Sequence, residues 1–186
     1  MAHIVMMIAP EAFRDEELTV PRDLFQKHGH TVTTVSTRTG PAIGMLGHTE
    51  TITQTLDDLL STDPQLTTVD TLVVVGGMGA IDHLWHNTQL HTALQTLHQT
   101  KKPIAAICLS PATLAFAGLL TGKQATVWDA PPAREAFATH HTTFTNQPVT
   151  TDTSSPQAPI ITANGPDAAH DFALALLTHL PAYVAK

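Results

Sequence analysis

The sequence has 186 residues, a length that fits one domain with a sizeable core. Hydrophobic residues make up 42% of the chain and charged residues 13%, a balance that excludes a disordered protein. The net charge is -7 and the few basic residues are scattered, so we expect no nucleic-acid partner. One cysteine excludes an intramolecular disulfide framework and is compatible with a reducing compartment.

The apolar run at residues 4–9 lacks the basic region of a signal peptide and ends at Pro10, too early to span a membrane. A continuous apolar run of this length is typical of a strand that is covered on both faces. No other run approaches transmembrane length. We therefore expect a cytoplasmic protein without membrane contact.

In chain order, the pattern predicts strands that alternate with helices. Strand patterns cover residues 4–9, 31–36, 71–75, 103–107, 125–128 and 159–163, and a loop with a hairpin covers residues 37–53. Helical spacing covers residues 16–28, 56–60, 87–100, 111–120, 132–139 and 167–180. This alternation predicts an α/β fold with a mostly parallel central sheet flanked by helices on both faces. No shift in composition marks a boundary, so we expect a single domain over residues 1–186.

Cys108 lies where the apolar strand 103–107 meets the next predicted helix. Its neighbours Ala106 and Ser110 are small, as a nucleophile elbow requires. We expect the thiol at the carboxyl edge of the sheet, where open α/β folds bind ligands. The helix N-terminus would lower the thiol pKa from ~8.5 to ~4–7. The alternative is an inert cysteine buried at the end of a strand.

Two further segments would reach the same edge of the sheet. Gly76 and Gly77 follow a buried strand, and the Gly77 N–H together with that of Leu109 could form an oxyanion hole. A plain tight turn is the alternative reading of this glycine pair. Glu17 follows the first strand and could share a proton with a thiolate. The alternative for Glu17 is a charged first helical turn that the helix dipole favours.

Taken together, these segments resemble the ThiJ/PfpI family, the superfamily of the parkinsonism-associated protein deglycase and the archaeal intracellular proteases. The likeness extends over nearly the whole chain and includes ELTVP at 17–21, GG at 76–77, AICLSP at 106–111, AGLLTGKQATVW at 117–128 and IITANGP at 160–166. The family is related to class I glutamine amidotransferases. The resemblance therefore implies a flavodoxin-like three-layer sandwich.

The resemblance also implies a role for individual residues. Cys108 matches the reactive nucleophilic cysteine, and Glu17 matches the acid that hydrogen-bonds it. Gly77 and Leu109 match the oxyanion donors. A protonated Glu17 would donate to the thiolate, and the two groups would titrate as a pair. We expect the surrounding pocket to include Trp128, Ser110 and Gly76.

The chain departs from the family pattern at two positions. Members with protease-like triads carry histidine directly after the cysteine, where this chain has Leu109. Deglycase-like members carry histidine twenty residues beyond the cysteine, where this chain has Trp128. Peptidase activity is therefore doubtful and the general base is unassigned. The sequence leaves open whether a distant histidine approaches Cys108, the candidates being His83, His86, His140 and His141.

We expect a reactive-cysteine protein that acts as a cofactor-independent glyoxalase or deglycase on a small carbonyl substrate such as methylglyoxal. The alternative is a non-catalytic redox sensor or stress-response protein, and a cysteine peptidase or amidase is less favoured. We expect no cofactor and no metal, because the twelve histidines form no HExxH motif and no paired cysteine ligands exist. Since the family commonly forms dimers, a homodimer is expected.

Overall fold

The computed structural model describes residues 1–155 and 158–181. The strands are β1 (His3–Met7), β2 (Glu11–Phe13), β3 (Thr31–Val35), β4 (Gly40–Gly44), β5 (Thr49–Ile52), β6 (Thr71–Val74), β7 (Ile104–Ile107), β8 (Gln124–Ala125), β9 (Thr143–Phe144), β10 (Val149–Asp152) and β11 (Ile160–Ala163). The helices are α1 (Asp15–Lys27), α2 (Leu56–Thr62), α3 (Gly79–His83), α4 (Thr88–Gln99), α5 (Pro111–Phe116), α6 (Pro131–Thr139) and α7 (Ala169–Leu177), with a 3-10 turn at Pro166–Ala168. The predicted domain range of 1–186 includes residues 156, 157 and 182–186, which lie outside the described part.

The central sheet has six strands in the order β10-β11-β7-β6-β1-β3. All neighbouring pairs are parallel except β10 with β11. Helix α1 contacts α7, whereas α4 contacts α2 and α5, so helices cover both faces. Because both faces are covered, every residue of β6, β7 and β11 is buried. The predicted α/β fold with a mostly parallel sheet is confirmed.

The strand order reverses beside β1, because β3 lies on one side of it and β6 on the other. Open α/β sheets bind ligands outside the carboxyl ends of their strands at such a point. The segments after β1, β6 and β7 therefore converge on one edge of the sheet. These are the segments that carry Glu17, the glycine pair and Cys108.

Two of the predicted elements that the structure shortens have an identifiable local cause. The strand predicted at 125–128 ends at Ala125. Beyond it, the Trp128 N–H donates to the carbonyl oxygen of Cys108 at 2.8 Å, so this part of the chain pairs with the turn at Cys108 and not with a strand. The helix predicted at 111–120 ends at Phe116. Gly118 adopts a φ of 74°, and such a left-handed residue closes many helices.

The predicted hairpin at 37–53 is present as the antiparallel pair β4 and β5. Its β4 strand also pairs with the short strand β2, which the sequence pattern did not indicate. Asp15 holds the turn between β4 and β5, because its carboxylate accepts the N–H groups of Leu46 and His48 at 2.9 and 2.8 Å. The hairpin is thereby fixed beside the start of α1. No helix in the described ranges is long and apolar enough to cross a membrane.

Candidate active site

Cys108 occupies a sharp turn between β7 and α5. Its φ is 63°, a left-handed conformation that non-glycine residues seldom adopt. Two backbone hydrogen bonds hold it there: its N–H donates to Ala163 at 2.8 Å, and its carbonyl oxygen accepts from Trp128 at 2.8 Å. A strained residue between a buried strand and a helix has the geometry of a nucleophile elbow.

Gly76 and Ser110 make room for this turn. A Cβ at Gly76 would lie 2.5 Å from both the Cβ of Cys108 and Oε2 of Glu17, so a larger residue does not fit. The Ser110 hydroxyl is fully buried and donates to the carbonyl oxygen of Val75 at 2.8 Å. We expected both residues in the pocket, but the structure places them beneath the turn, where they join it to the end of β6.

Glu17 lies against Cys108 from the first turns of α1, and its side chain is fully buried. Oε2 accepts the Gly76 N–H at 3.1 Å, while Oε1 has no hydrogen-bond partner among the described residues. Burial disfavours the charged carboxylate and raises the Glu17 pKa to about 8. A buried carboxyl with one free oxygen beside a thiol is suited to exchanging a proton with it.

Cys108 is only 7% exposed as a whole residue. Burial, and then the negative charge of Glu17, raise the pKa of the Cys108 thiol to about 12. Hydrogen bonds from the backbone N–H groups of Gly77 and Leu109 act in the opposite direction but are the smaller effect. The expected lowering by the helix N-terminus is therefore wrong. Helix α5 has only six residues, and burial of the sulfur is the largest cause of the shift.

The two expected oxyanion donors lie beside the sulfur. The N–H groups of Gly77 and Leu109 both point at Cys108, and neither donates to a backbone oxygen among the described residues. Gly77 has a φ of 102°, and a Cβ there would overlap the backbone at Ala12 and Arg14. The indole Nε1 of buried Trp85 donates to the Leu109 carbonyl oxygen at 2.9 Å, which fixes the second donor residue.

The thiol opens into a cleft of about 460 Å³. Most of its wall is apolar, with Met45, Met78, Ile81, Trp128 and Pro132 among the lining side chains. Trp128 is half exposed, in agreement with its expected place in the pocket. The cleft therefore has few charged lining residues and is large enough for a small organic molecule.

No described histidine lines this cleft. Nε2 of His83 lies 3.2 Å from Oε1 of Glu11, and the rings of His86 and His140 pack against Phe116. The fourth candidate, His141, is likewise absent from the cleft wall. Glu17 is therefore the nearest described group that can serve as a base. Among residues 1–155 and 158–181, no three metal-ligating side chains form a group that could hold an ion.

Sequence reasoning missed two charged residues and two methionines of the cleft wall. Arg14 precedes α1, and its guanidinium donates to both carboxylate oxygens of Glu16 at 2.8 and 3.0 Å. Asp167 lies in the 3-10 turn after β11. Position shortly after a predicted strand could have indicated Met78 and Asp167, which follow the strands predicted at 71–75 and 159–163. Arg14 and Met45 had no such signal, because Arg14 follows the unpredicted strand β2 and Met45 lies on the hairpin.

The DJ-1/PfpI family model matches residues 2–179, which includes every residue of the site. The chain belongs to the DJ-1/PfpI family. The predicted resemblance to ThiJ/PfpI proteins is confirmed. The family match covers Glu17, the glycine pair and Cys108 in one continuous stretch.

Individual relatives agree with this family membership. An uncharacterised protein of Methanocaldococcus jannaschii is 39% identical over 176 residues, which cover 95% of this chain and 81% of that protein. A Thermococcus kodakarensis protein named as a deglycase is 30% identical over 122 residues, covering 66% of this chain and 70% of the relative. The crystal structure of a ThiJ/PfpI domain protein from Brachyspira murdochii superposes with a TM-score of 0.84 at 24% identity, covering 95% of each chain.

Proposed function

We propose that this DJ-1/PfpI protein is a cofactor-independent glyoxalase that converts small 2-oxoaldehydes such as methylglyoxal into 2-hydroxy acids. The observation that carries the proposal is the contact of Cys108 with the fully buried carboxyl of Glu17 at the base of an open cleft. A family relative named as a deglycase supports chemistry on reactive carbonyl compounds.

In the first step, the sulfur of Cys108 attacks the aldehyde carbon while the thiol proton passes to the Glu17 carboxylate. The carbonyl electron pair moves to oxygen, and the N–H groups of Gly77 and Leu109 stabilise that oxyanion. Glu17 then returns the proton to oxygen, which gives a neutral hemithioacetal. A carboxylate whose pKa is raised to about 8 is a stronger base than an exposed one, which suits it to this transfer.

In the second step, Glu17 removes the hydrogen on the former aldehyde carbon as a proton and delivers it to the neighbouring ketone carbon through an enediol. The aldehyde carbon is thereby oxidised to a thioester and the ketone is reduced to an alcohol, with no external oxidant. Water hydrolyses the thioester, which releases lactate from methylglyoxal and restores the Cys108 thiol. The sum is methylglyoxal plus water giving lactic acid.

The alternative predictions have weaker support. A redox sensor needs a thiol that oxidants reach readily, whereas Cys108 is only 7% exposed. After mild peroxide treatment, a sensor would gain two oxygens on Cys108 before the five methionines oxidise, as read by mass spectrometry. A peptidase would need an imidazole beside the thiol, and no described histidine lines the cleft.

The proposal is tested with purified protein and methylglyoxal in the absence of glutathione, with lactate measured by an enzymatic or NMR assay. We expect turnover by the natural chain and none above background by Cys108→Ser, which keeps the side-chain shape but replaces the nucleophile. Equal lactate formation by the two proteins would contradict the proposal. Thermal unfolding of both proteins shows that the comparison is made between folded chains.

A further inference from the structure

The side chains that line the Cys108 cleft suit one class of substrate better than others. Building on the proposed glyoxalase chemistry, we propose that this cleft selects uncharged carbonyl compounds with an apolar, above all aromatic, substituent, and that Trp128 is the residue that recognises the substituent. Phenylglyoxal, the aryl counterpart of methylglyoxal, represents this class. Compounds with a carboxylate beside the reacting carbon are disfavoured.

A backbone hydrogen bond links Trp128 to the turn at Cys108, and the Trp128 ring packs against a glycine. Its backbone N–H donates to the carbonyl oxygen of Cys108, so its Cα stays at a fixed distance from the thiol. A Cβ at Gly165 would lie 2.7 Å from the indole ring, which means that the ring packs directly on that backbone. Nearly half of the residue still faces solvent at 49% exposure. The indole is therefore held in place at the cleft that Cys108 also lines, with a free surface for stacking.

Exposed apolar side chains extend this surface. Met45 and Met78 line the same cleft and are 44% and 54% exposed. Methionine adapts its shape and contacts aromatic rings favourably through sulfur. Large apolar side chains left open to water around a reactive group gain free energy when a ligand covers them. A phenyl substituent would cover them, whereas the methyl group of methylglyoxal is too small to reach across.

The charges in the wall disfavour an anionic substrate. Arg14 is the cation of the lining, and Glu16 already accepts two of its N–H groups in a bidentate pair. Asp167 adds a negative charge to the same wall, and Glu17 adds another below it when ionised. A substrate carboxylate would therefore meet the negative charge of Asp167, while the charge of Arg14 is already offset by its pairing with Glu16.

The first experiment compares phenylglyoxal with methylglyoxal, measured as formation of mandelate and lactate. For the natural chain we expect kcat/KM to be about tenfold higher with phenylglyoxal, since ring stacking and apolar burial add to binding. Trp128→Ala should bring this ratio close to one, while Trp128→Phe should keep most of it. Leu174→Ala serves as the matched control, because it truncates an equally exposed apolar residue on α7, outside the cleft, and should leave the ratio as it is.

The second experiment reads recognition without turnover, using the single cysteine of the chain. Alkylation of Cys108 is followed by mass spectrometry with iodoacetamide, its N-phenyl derivative iodoacetanilide, and iodoacetate, each rate being divided by that of free cysteine. We expect iodoacetanilide to react about fivefold faster than iodoacetamide, and iodoacetate about fivefold slower. Trp128→Ala should abolish the first preference and leave the second.

The two experiments separate the two ideas. If neither oxoaldehyde is turned over but the alkylation preferences hold and depend on Trp128, the glyoxalase function fails and the recognition stands. If turnover depends on Cys108 but both ratios are near one, or do not change in Trp128→Ala, the recognition by Trp128 is overturned and the glyoxalase function stands. Faster reaction of iodoacetate than of iodoacetamide would overturn the exclusion of carboxylates.

Discussion

The floor and the wall of the cleft differ in what fixes them. Backbone geometry and buried polar contacts fix the floor, which consists of Cys108, Glu17, Gly77 and Leu109. The wall around Trp128, Met45 and Met78 consists of half-exposed apolar side chains. A floor built in this way tolerates few substitutions, because each atom lies against another. We therefore expect that side chains of the wall can change without disturbing the turn, and that the proposed chemistry and selectivity reside in separable parts.

The largest expected effect is a loss of activity on substitution of Glu17 in the floor. Glu17→Gln preserves the size of the side chain but removes the base, so kcat/KM with methylglyoxal should fall by about 10²- to 10⁴-fold. In the natural chain, kcat/KM should rise with pH up to about 8, because the carboxyl must ionise before it can accept the thiol proton. The Gln variant should lack this rise.

Asp23→Asn is the matched control for this prediction, since it makes the same kind of change on an exposed carboxylate of the same helix. A Gln variant that keeps both full activity and the rise near pH 8 would show that another group is the base. Steady-state kinetics from pH 6 to 10 on the three proteins supplies the comparison.

Much of the floor could be predicted from the sequence, while most of the wall could not. Gly77 and Cys108 follow apolar strands, and small residues flank Cys108, which are local patterns, whereas the role of Glu17 came from the family resemblance. Met45 reaches the cleft only because β4 pairs with β2, a contact between distant segments that periodicity does not reveal. The thiol pKa was predicted in the wrong direction for a related reason. Helix N-termini are visible in a sequence, but the depth of burial around a sulfur is not.

A second substitution tests how tightly the floor is packed. Gly76→Ala should destabilise the protein by about 3 kcal/mol, because the added Cβ would meet the Cβ of Cys108 and the Glu17 carboxyl at 2.5 Å. Denaturant unfolding measures the loss. Gly118→Ala is an informative comparison. A Cβ added at Gly118 would have no atom within 4 Å, so the substitution meets no steric contact and its cost comes only from the φ of 74°. A Gly76 variant as stable as the natural chain would contradict the close packing described here.

The buried carboxyl should also make stability depend on pH. The pKa of Glu17 is raised from 4.5 to about 8 in the folded chain, so the fold gains stability from holding this proton. That gain is complete below about pH 4.5 and is lost as pH rises through 8. Glu17→Gln carries no charge at any pH, and it should therefore be more stable than the natural chain at pH 9 by up to about 5 kcal/mol, since each pKa unit of the shift from 4.5 to about 8 corresponds to about 1.4 kcal/mol.

At pH 5 the two proteins should unfold with similar free energies. Thermal or denaturant unfolding at the two pH values measures the difference directly. An advantage of the Gln variant that is equally large at pH 5 and pH 9 would mean that ionisation of Glu17 is not its cause.

The smallest expected effect is a local loss of stability in the hairpin that carries Met45, with no change at the Cys108 turn. Asp15→Asn replaces one of the two oxygens that accept N–H groups in the hairpin turn, which should cost about 1 kcal/mol of unfolding free energy. Hydrogen exchange at Leu46 and His48 should speed up, whereas exchange at the amide of Cys108 should not. Faster exchange at Cys108 in this variant would show that floor and wall are not independent.

The way Asp15 holds the hairpin has a practical consequence for protein engineering. Its carboxylate binds backbone N–H groups, which every residue except proline provides, and so it places no demand on the side chains at the turn. Met45 and Leu46 are therefore open to replacement or randomisation in a library. A library that varies only these two positions could be screened for new substrate preferences, while the turn at Cys108 keeps its natural sequence.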